Sequence, residues 1–260
     1  MENAMGFWTN KVVMITGASS GIGKGLALDL APRGAKLALL ARRQNLLDEI
    51  VNATRLRGGK ALAIATDVRD ADAMRSAADR IKAQLGPIDI LIANAGVGTS
   101  NHISQLDPIH TANVISINVL GAANSVAAVV PQMIERGTGQ LVAISSLAAY
   151  RGLPKSAAYC ASKAAMSAYF ESVRIDLRDS GVRVTIIHPG FIKTPLTAGR
   201  DAKMPYLMEL DDAIPKIVSA IEKGKKSVAF PWQLATVVRA GMLMPTFMYD
   251  WIAARNSFRE

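Results

Sequence analysis

Short runs rich in β-branched and other apolar residues recur along this 260-residue chain, and a helix-length stretch separates each from the next. They fall at 11–16, 36–41, 61–66, 88–93, 140–145 and 182–187, with a weaker seventh run at 227–230. Few folds accept that alternation. A strand that returns through a helix to a neighbouring strand makes a parallel pair with a right-handed crossover, and helices must then cover both faces of the sheet. The pattern predicts an α/β fold, a Rossmann-like doubly wound parallel sheet of about seven strands. No internal repeat and no linker interrupts it, so residues 1–260 are read as a single domain, long enough to bury a substantial core.

In such sheets ligands bind outside the carboxyl ends of the strands, so the residues just past each predicted strand end are the first candidates. Past the first run stands Gly17-Ala18-Ser19-Ser20-Gly21-Ile22-Gly23, ahead of an amphipathic stretch that reaches about Arg33. Glycine lets the backbone approach a phosphate closely, and a helix N-terminus offers free N–H donors at the positive end of its dipole. The spacing is G-x-x-x-G-x-G rather than G-x-G-x-x-G. An ordinary βα turn would read the same in isolation; its place at the head of the repeat favours a nucleotide. The second run ends at Ala41, followed by Arg42 and Arg43. A site for NAD usually carries an acid here, about twenty residues past the loop, to bond the ribose 2′-hydroxyl. A guanidinium suits a 2′-phosphate instead, as a charge and as a fork of donors. The expected cofactor is NADP(H), resting on Arg42 with Ser19 and Arg43 as helpers.

The third run closes on Asp67 and Val68. Asp67 either accepts from an adenine amine or caps the helix that starts near Asp70; both readings stay open. The fourth run ends in Asn94-Ala95-Gly96, small residues that would let the backbone line a cofactor. Ser146 and His188-Pro189-Gly190 fall past the fifth and sixth ends, on the same rim. Between them Tyr159 and Lys163 stand four apart in a long helix-compatible run, on one helix face. A nearby ammonium favours a phenolate and brings a tyrosine closer to the range where acid–base catalysis is efficient. Any long helix can carry such a pair by chance, so its meaning depends on its neighbours.

In order along the chain, Thr16 through Gly23, Asn94-Ala95-Gly96, Asn118, Ser146, Tyr159-x-x-x-Lys163 and Pro189-Gly190 resemble the short-chain dehydrogenases/reductases, over residues 12–194. Ser146 precedes Tyr159 by thirteen residues, the family's usual separation, and Ser145 beside it is the decoy. The resemblance implies that Tyr159 is the general acid/base. Lys163 would lower its pKa and hold the nicotinamide ribose, and Ser146 would bond the substrate oxygen. Asn118 would hold a water behind Lys163. It also implies a cofactor laid along Gly17, Ser19, Ser20, Gly21, Ile22, Gly23, Arg42, Arg43, Asp67, Val68, Asn94, Ala95 and Gly96. Beyond Pro189 and Gly190, Thr194 and the backbone of Ile192 would take the carboxamide. Two positions depart from the family pattern: Ala93 stands where an asparagine is common, and Ser20 where many NADP-preferring members have Lys or Arg. The implied activity is an NADP(H)-dependent interconversion of a ketone or aldehyde with an alcohol. The alternative is a non-catalytic NADP-binding sensor or scaffold of the same fold. Enoyl reduction fits less well, since relatives with that activity space the Tyr–Lys pair more widely.

Composition narrows the partners. The net charge is +9, with a pI near 9.8, but the cations are scattered and aromatics make up only 5%. Nucleic acid is therefore not expected, and an anionic cofactor or substrate is. Cys160 is the single cysteine, which excludes a disulfide framework and a zinc cluster. No leader is visible, and no apolar run is expected to reach the ~18–20 residues of a membrane span; the cytoplasm is the expected compartment. Residues 195–210 hold Gly199, Met204, Pro205, Tyr206, Leu207 and Met208, and read as a lid over an apolar pocket. An amphipathic helix follows at 211–223. The segment 232–256 is too apolar for a free tail, and three destinations stay open for it: its own domain, a second subunit, or a membrane surface. A homodimer or homotetramer is expected from the resemblance.

Overall fold

The computed structural model describes residues 6–98, 102–198 and 204–255. Seven parallel strands form one sheet: β1 (Val12–Thr16), β2 (Lys36–Ala41), β3 (Lys60–Ala65), β4 (Ile90–Ala93), β5 (Gly139–Ile144), β6 (Val182–Pro189) and β7 (Ser227–Phe230). Their order is β3-β2-β1-β4-β5-β6-β7, so the order reverses between β1 and β4. That reversal opens the crevice in which doubly wound sheets hold ligands.

Alternation along each strand divides the core into two layers. Val12 and Met14 of β1 join Leu91 and Ala93 of β4 and Leu141 and Ala143 of β5 beneath one set of helices. That set is α3 (Ala71–Leu85), α5 (Gly121–Glu135) and α6 (Ala157–Asp176). Val13, Ile15, Ile90, Ile92, Val142 and Ile144 face the other way. They are covered by α1 (Gly21–Leu30), α2 (Gln44–Leu56) and α7 (Leu210–Glu222). Strands buried on both faces read as unbroken apolar runs, which is why they stood out in the sequence.

Three details differ from the sequence reading. First, β6 continues through His188 and Pro189, because β7 pairs them with Ala229 and Phe230. These two are strand residues, and the rim at this strand begins at Gly190. Second, the stretch between β4 and β5 that a uniform periodicity would read as one long helix over 107–136 is α4 (Pro108–Ile115), a π turn over Ser116–Leu120, and α5. Third, this stretch of 28 residues, with a mean hydropathy of 1.7 over its most apolar 18 residues, is by length and composition apolar enough to cross a membrane, contrary to the expectation that no run would be. Val126, Val129 and Met133 spend that apolarity on the sheet.

The C-terminal segment forms α8 (Trp232–Leu243) and α9 (Thr246–Arg255). Leu234 and Ala235 of α8 pack on Leu147, Tyr150 and Phe191. The Arg151 guanidinium donates to the carbonyls of Gly241 and Met244 at the end of α8 and stacks on the Tyr249 ring 3.9 Å away. Of the expected lid, residues 199–203, Gly199 among them, lie outside the described residues. Near its far end it is tied to the segment that precedes it, where Met208 N donates to Phe191 O (3.0 Å) and Lys193 N donates to Met208 O (2.9 Å).

Candidate active site

The turn after β1 needs its glycines. Gly17 has φ +63°, and a Cβ there would lie 2.7 Å from the Ala95 Cα. A Cβ on Gly23 would lie 2.6 Å from the Gly17 carbonyl oxygen and 2.7 Å from Asn94 Nδ2. Asn94 draws the turn against β4, its Nδ2 donating to the carbonyls of Thr16 (2.9 Å) and Gly17 (3.2 Å). Thr16 Oγ1 answers by accepting from the backbone N–H groups of Asn94 and Ala95, both at 3.1 Å. The first turn of α1 carries no acidic residue, and Ser20 makes no side-chain cap to it. The N–H groups and positive dipole end of this helix are thus left for an outside anion, which suits a dinucleotide diphosphate.

Arg42 and Arg43 follow β2 at the same rim, both exposed. Arg43 donates to Ser19 Oγ at 3.0 Å, so the helper pair expected from the sequence is in contact. Asp67 lies close enough for the Arg42 charge to act on it, and Arg69 bonds its carboxylate at 2.6 Å. The Arg69 bond holds Asp67 below the usual carboxylate range. The cap of α3 is Asp70, which accepts from Ala73 N at 2.9 Å; the capping reading of Asp67 is therefore corrected. Val68 is buried with its side chain against Gly121, leaving only its backbone toward the rim.

Lys163 is 4% exposed, and its ammonium donates to Ile144 O at 2.8 Å and lies 3.8 Å from Met166 Sδ. Burial pushes its pKa down from 10.5 to about 8. The ammonium stands 5.9 Å from the centre of the Tyr159 ring. A Cβ on Gly96 would come within 3.5 Å of Lys163 Nζ and 3.4 Å of Asn118 Oδ1, so the three sites meet. Asn118 sits in the π turn, where such turns often aim a functional residue. Its Oδ1 accepts from Val97 N (2.8 Å), and its Nδ2 donates to Val97 O (2.9 Å) and Ser162 Oγ (2.9 Å). That uses both donors and one lone pair, and leaves the second Oδ1 lone pair for a further donor.

Ser146 follows β5, and its Oγ accepts from Ala148 N at 3.1 Å. The hydroxyl proton stays available for another oxygen. Ser145 is spent on helix packing, donating to Lys163 O (3.2 Å) and sharing a 2.7 Å bond with Ser167. His188 lies beneath Ser146, with Nδ1 3.4 Å from its carbonyl oxygen and the ring 4.9 Å from that of Tyr150. Burial holds His188 below the ordinary imidazole range.

Pro189 and Ile192 are buried, Ile192 within the core layer that faces α1 and α7. Gly190 closes against Pro231 and Leu234, which a Cβ would meet at 3.1 and 3.0 Å. Thr194 faces the glycine turn, where a Cβ on Gly21 would lie 3.5 Å from it. Thr197, not singled out in the sequence, donates from Oγ1 to Ile192 O (2.7 Å) and accepts from Thr194 N (3.0 Å), fixing both. Gly98 was also missed: a Cβ there would stand 2.7 Å from Tyr159 Cδ2. Its signal was a second glycine two residues past Asn94-Ala95-Gly96. A cleft of about 80 Å³ opens beside the start of α6, lined by Ile103, Leu106, His110, Lys155, Ala157 and Ala158.

The family described as short chain dehydrogenase matches residues 11–205. An uncharacterized oxidoreductase of Myxococcus xanthus is 43% identical over 245 residues, covering 94% of this chain and 97% of its own. Ketoacyl reductase HetN of Nostoc sp. is 32% identical over 84% of this chain and 76% of its own. Among solved structures, a short chain dehydrogenase from Mycobacterium paratuberculosis bound to NAD superposes with a TM-score of 0.78, at 28% identity. The match covers 86% of this chain and 96% of that one.

Proposed function

The chain belongs to the short-chain dehydrogenase family of NAD(P)-linked oxidoreductases, and from that premise we propose an NADP(H)-dependent enzyme that interconverts a ketone or aldehyde with an alcohol. The observation that carries the proposal is the Lys163 ammonium, buried beside the Tyr159 ring and next to Gly96 and Asn118. Taking a cation out of water is costly, and a purely binding module gains nothing from placing one there. The relatives that carry oxidoreductase names give the alternative, a non-catalytic sensor, no support.

The residues present fit a dinucleotide. Gly17, Gly21, Ile22 and Gly23 would hold its diphosphate at the uncapped start of α1, with Ser19 and Ser20 beside them. Arg42, helped by Arg43, would receive the 2′-phosphate, Asp67 and Val68 would line the adenosine end, and the backbone of Asn94, Ala95 and Gly96 would line the cofactor on its way to Lys163. Thr194 and the Ile192 backbone would hold the carboxamide past Pro189 and Gly190. The bound cofactor would supply or accept a hydride.

Tyr159 would give its phenolic proton to the substrate oxygen in reduction and take it back in oxidation. The Lys163 charge would favour the phenolate between those events. Ser146 would donate to the same substrate oxygen, as a fixed dipole needing no rearrangement during the reaction. Asn118 would brace Val97 against α6 and hold a water with its remaining lone pair, as the outer end of a proton relay. The exposed Ile103 and Leu106 beside the cleft favour an apolar substrate. The exposed Leu120, Ile134 and Ile175 near α5 and α6 favour a homo-oligomer.

The test is NADPH consumption across a panel of ketones and aldehydes, with alcohols and NADP⁺ in parallel. Tyr159→Phe keeps the ring and should cut kcat by about 10²–10⁴-fold while NADPH still binds. Full turnover in that variant would sink the mechanism.

A further inference from the structure

Helices α8 and α9 turn Trp232, Val237, Leu243, Phe247 and Trp251 outward, each between 58% and 89% exposed. None of the ten residues of α9 is buried. An apolar helix is ordinarily covered, and this one is held in place rather than trailing. Arg151 binds the end of α8 and stacks on Tyr249, whose hydroxyl donates to Gly152 O. The apolar face is therefore presented by a fixed support.

Charge decides what it is presented to. Helices α8 and α9 carry Arg239 and Arg255 against a single acid, Asp250. Arg255 lies 3.9 Å over the Trp251 ring, which sets a cation at the edge of the apolar face. A second copy meeting this face across a two-fold axis would set that excess of positive charge against itself. An anionic surface would neutralise it. Tryptophans stand near the two ends of the helix pair, and indole rings settle at the boundary between headgroups and acyl chains. The flanking arginines add attraction to anionic lipid. We propose that the α8–α9 face docks the protein on a bilayer surface containing anionic phospholipid.

The proposal is independent of cofactor and substrate, and its test reads binding rather than turnover. The full chain is mixed with vesicles of phosphatidylcholine alone, or with added phosphatidylglycerol, and both sedimentation with the vesicles and tryptophan emission are followed. Trp8 is 2% exposed and packed inside the domain, so a blue shift reports Trp232 and Trp251. The expected result is co-sedimentation and a blue shift with the phosphatidylglycerol vesicles, weakened by salt and much reduced on phosphatidylcholine alone. Replacing both Phe247→Ser and Trp251→Ser, at exposed positions, should lower the bound fraction about tenfold or more. No binding to either vesicle overturns the proposal. So does self-association that the same two substitutions abolish while vesicles are ignored, which would assign the face to a second copy.

Discussion

Replacing Lys163 by methionine should remove a pH dependence of stability that the native protein carries. The ammonium is buried, and its pKa falls from 10.5 to about 8. Because the folded value lies below the unfolded one, the unfolded chain binds more protons between those pH values, and stability rises with pH through that window. Below about pH 8 the penalty is complete, and a shift of about 2.5 units corresponds to roughly 3 kcal/mol. Lys163→Met keeps most of the volume and removes the titration. It also leaves Ile144 O without its 2.8 Å donor, at a cost of ~1–3 kcal/mol. That cost does not depend on pH, so it displaces the whole curve and leaves its slope alone. The assay is urea unfolding of cofactor-free protein at several pH values from 7 to 10.5, native and variant side by side. Every other titrating group is common to both, so the difference between the two curves isolates Lys163. The native protein should gain about 3 kcal/mol relative to the variant across the window. Parallel curves would refute the burial of a charged lysine at this site.

Gly98→Ala should lower kcat by about 10²-fold with a smaller change in cofactor KM, since the added Cβ would press on the Tyr159 ring and a displacement near 1 Å is enough for that loss; steady-state kinetics at saturating cofactor read it. Arg42→Ala should weaken NADPH about tenfold or more and leave NADH nearly unchanged. Fluorescence titration with both cofactors decides it, and an unaltered NADPH-to-NADH ratio would remove Arg42 from the phosphate site. Gly17→Ala should cost at least about 1–2 kcal/mol from its left-handed backbone alone, with the crowding against Ala95 in addition. Denaturant unfolding measures that loss.

The sheet was legible because its strands are buried on both faces and announce themselves as apolar runs. The rim followed from the strand ends, which is why Gly17, Arg42, Asn94 and Ser146 could be placed before any side chain was seen. What escaped the sequence depends on pairings between distant residues. His188 and Pro189 belong to β6 only because β7, some forty residues later, extends the ladder. Gly98 matters through a ring that lies on another element. Asp67 had two readings, and only the Arg69 guanidinium and the Asp70 cap separate them. The π turn was invisible for another reason. Periodicity describes a uniform helix, and one extra residue within a turn changes the phase on either side without altering the composition.

That turn also makes this stretch intolerant of changes in length. Shortening 116–120 by one residue would let α4 and α5 join as a uniform α-helix, with every backbone bond still made. The two halves would then be turned against each other by about 100°. Either Val126, Val129 and Met133 would leave the sheet, or Asn118 would leave Val97 and Ser162. A single deletion here would thus be silent in helix content and severe in packing or chemistry. Variants that differ in length should keep this segment fixed and place their insertions elsewhere.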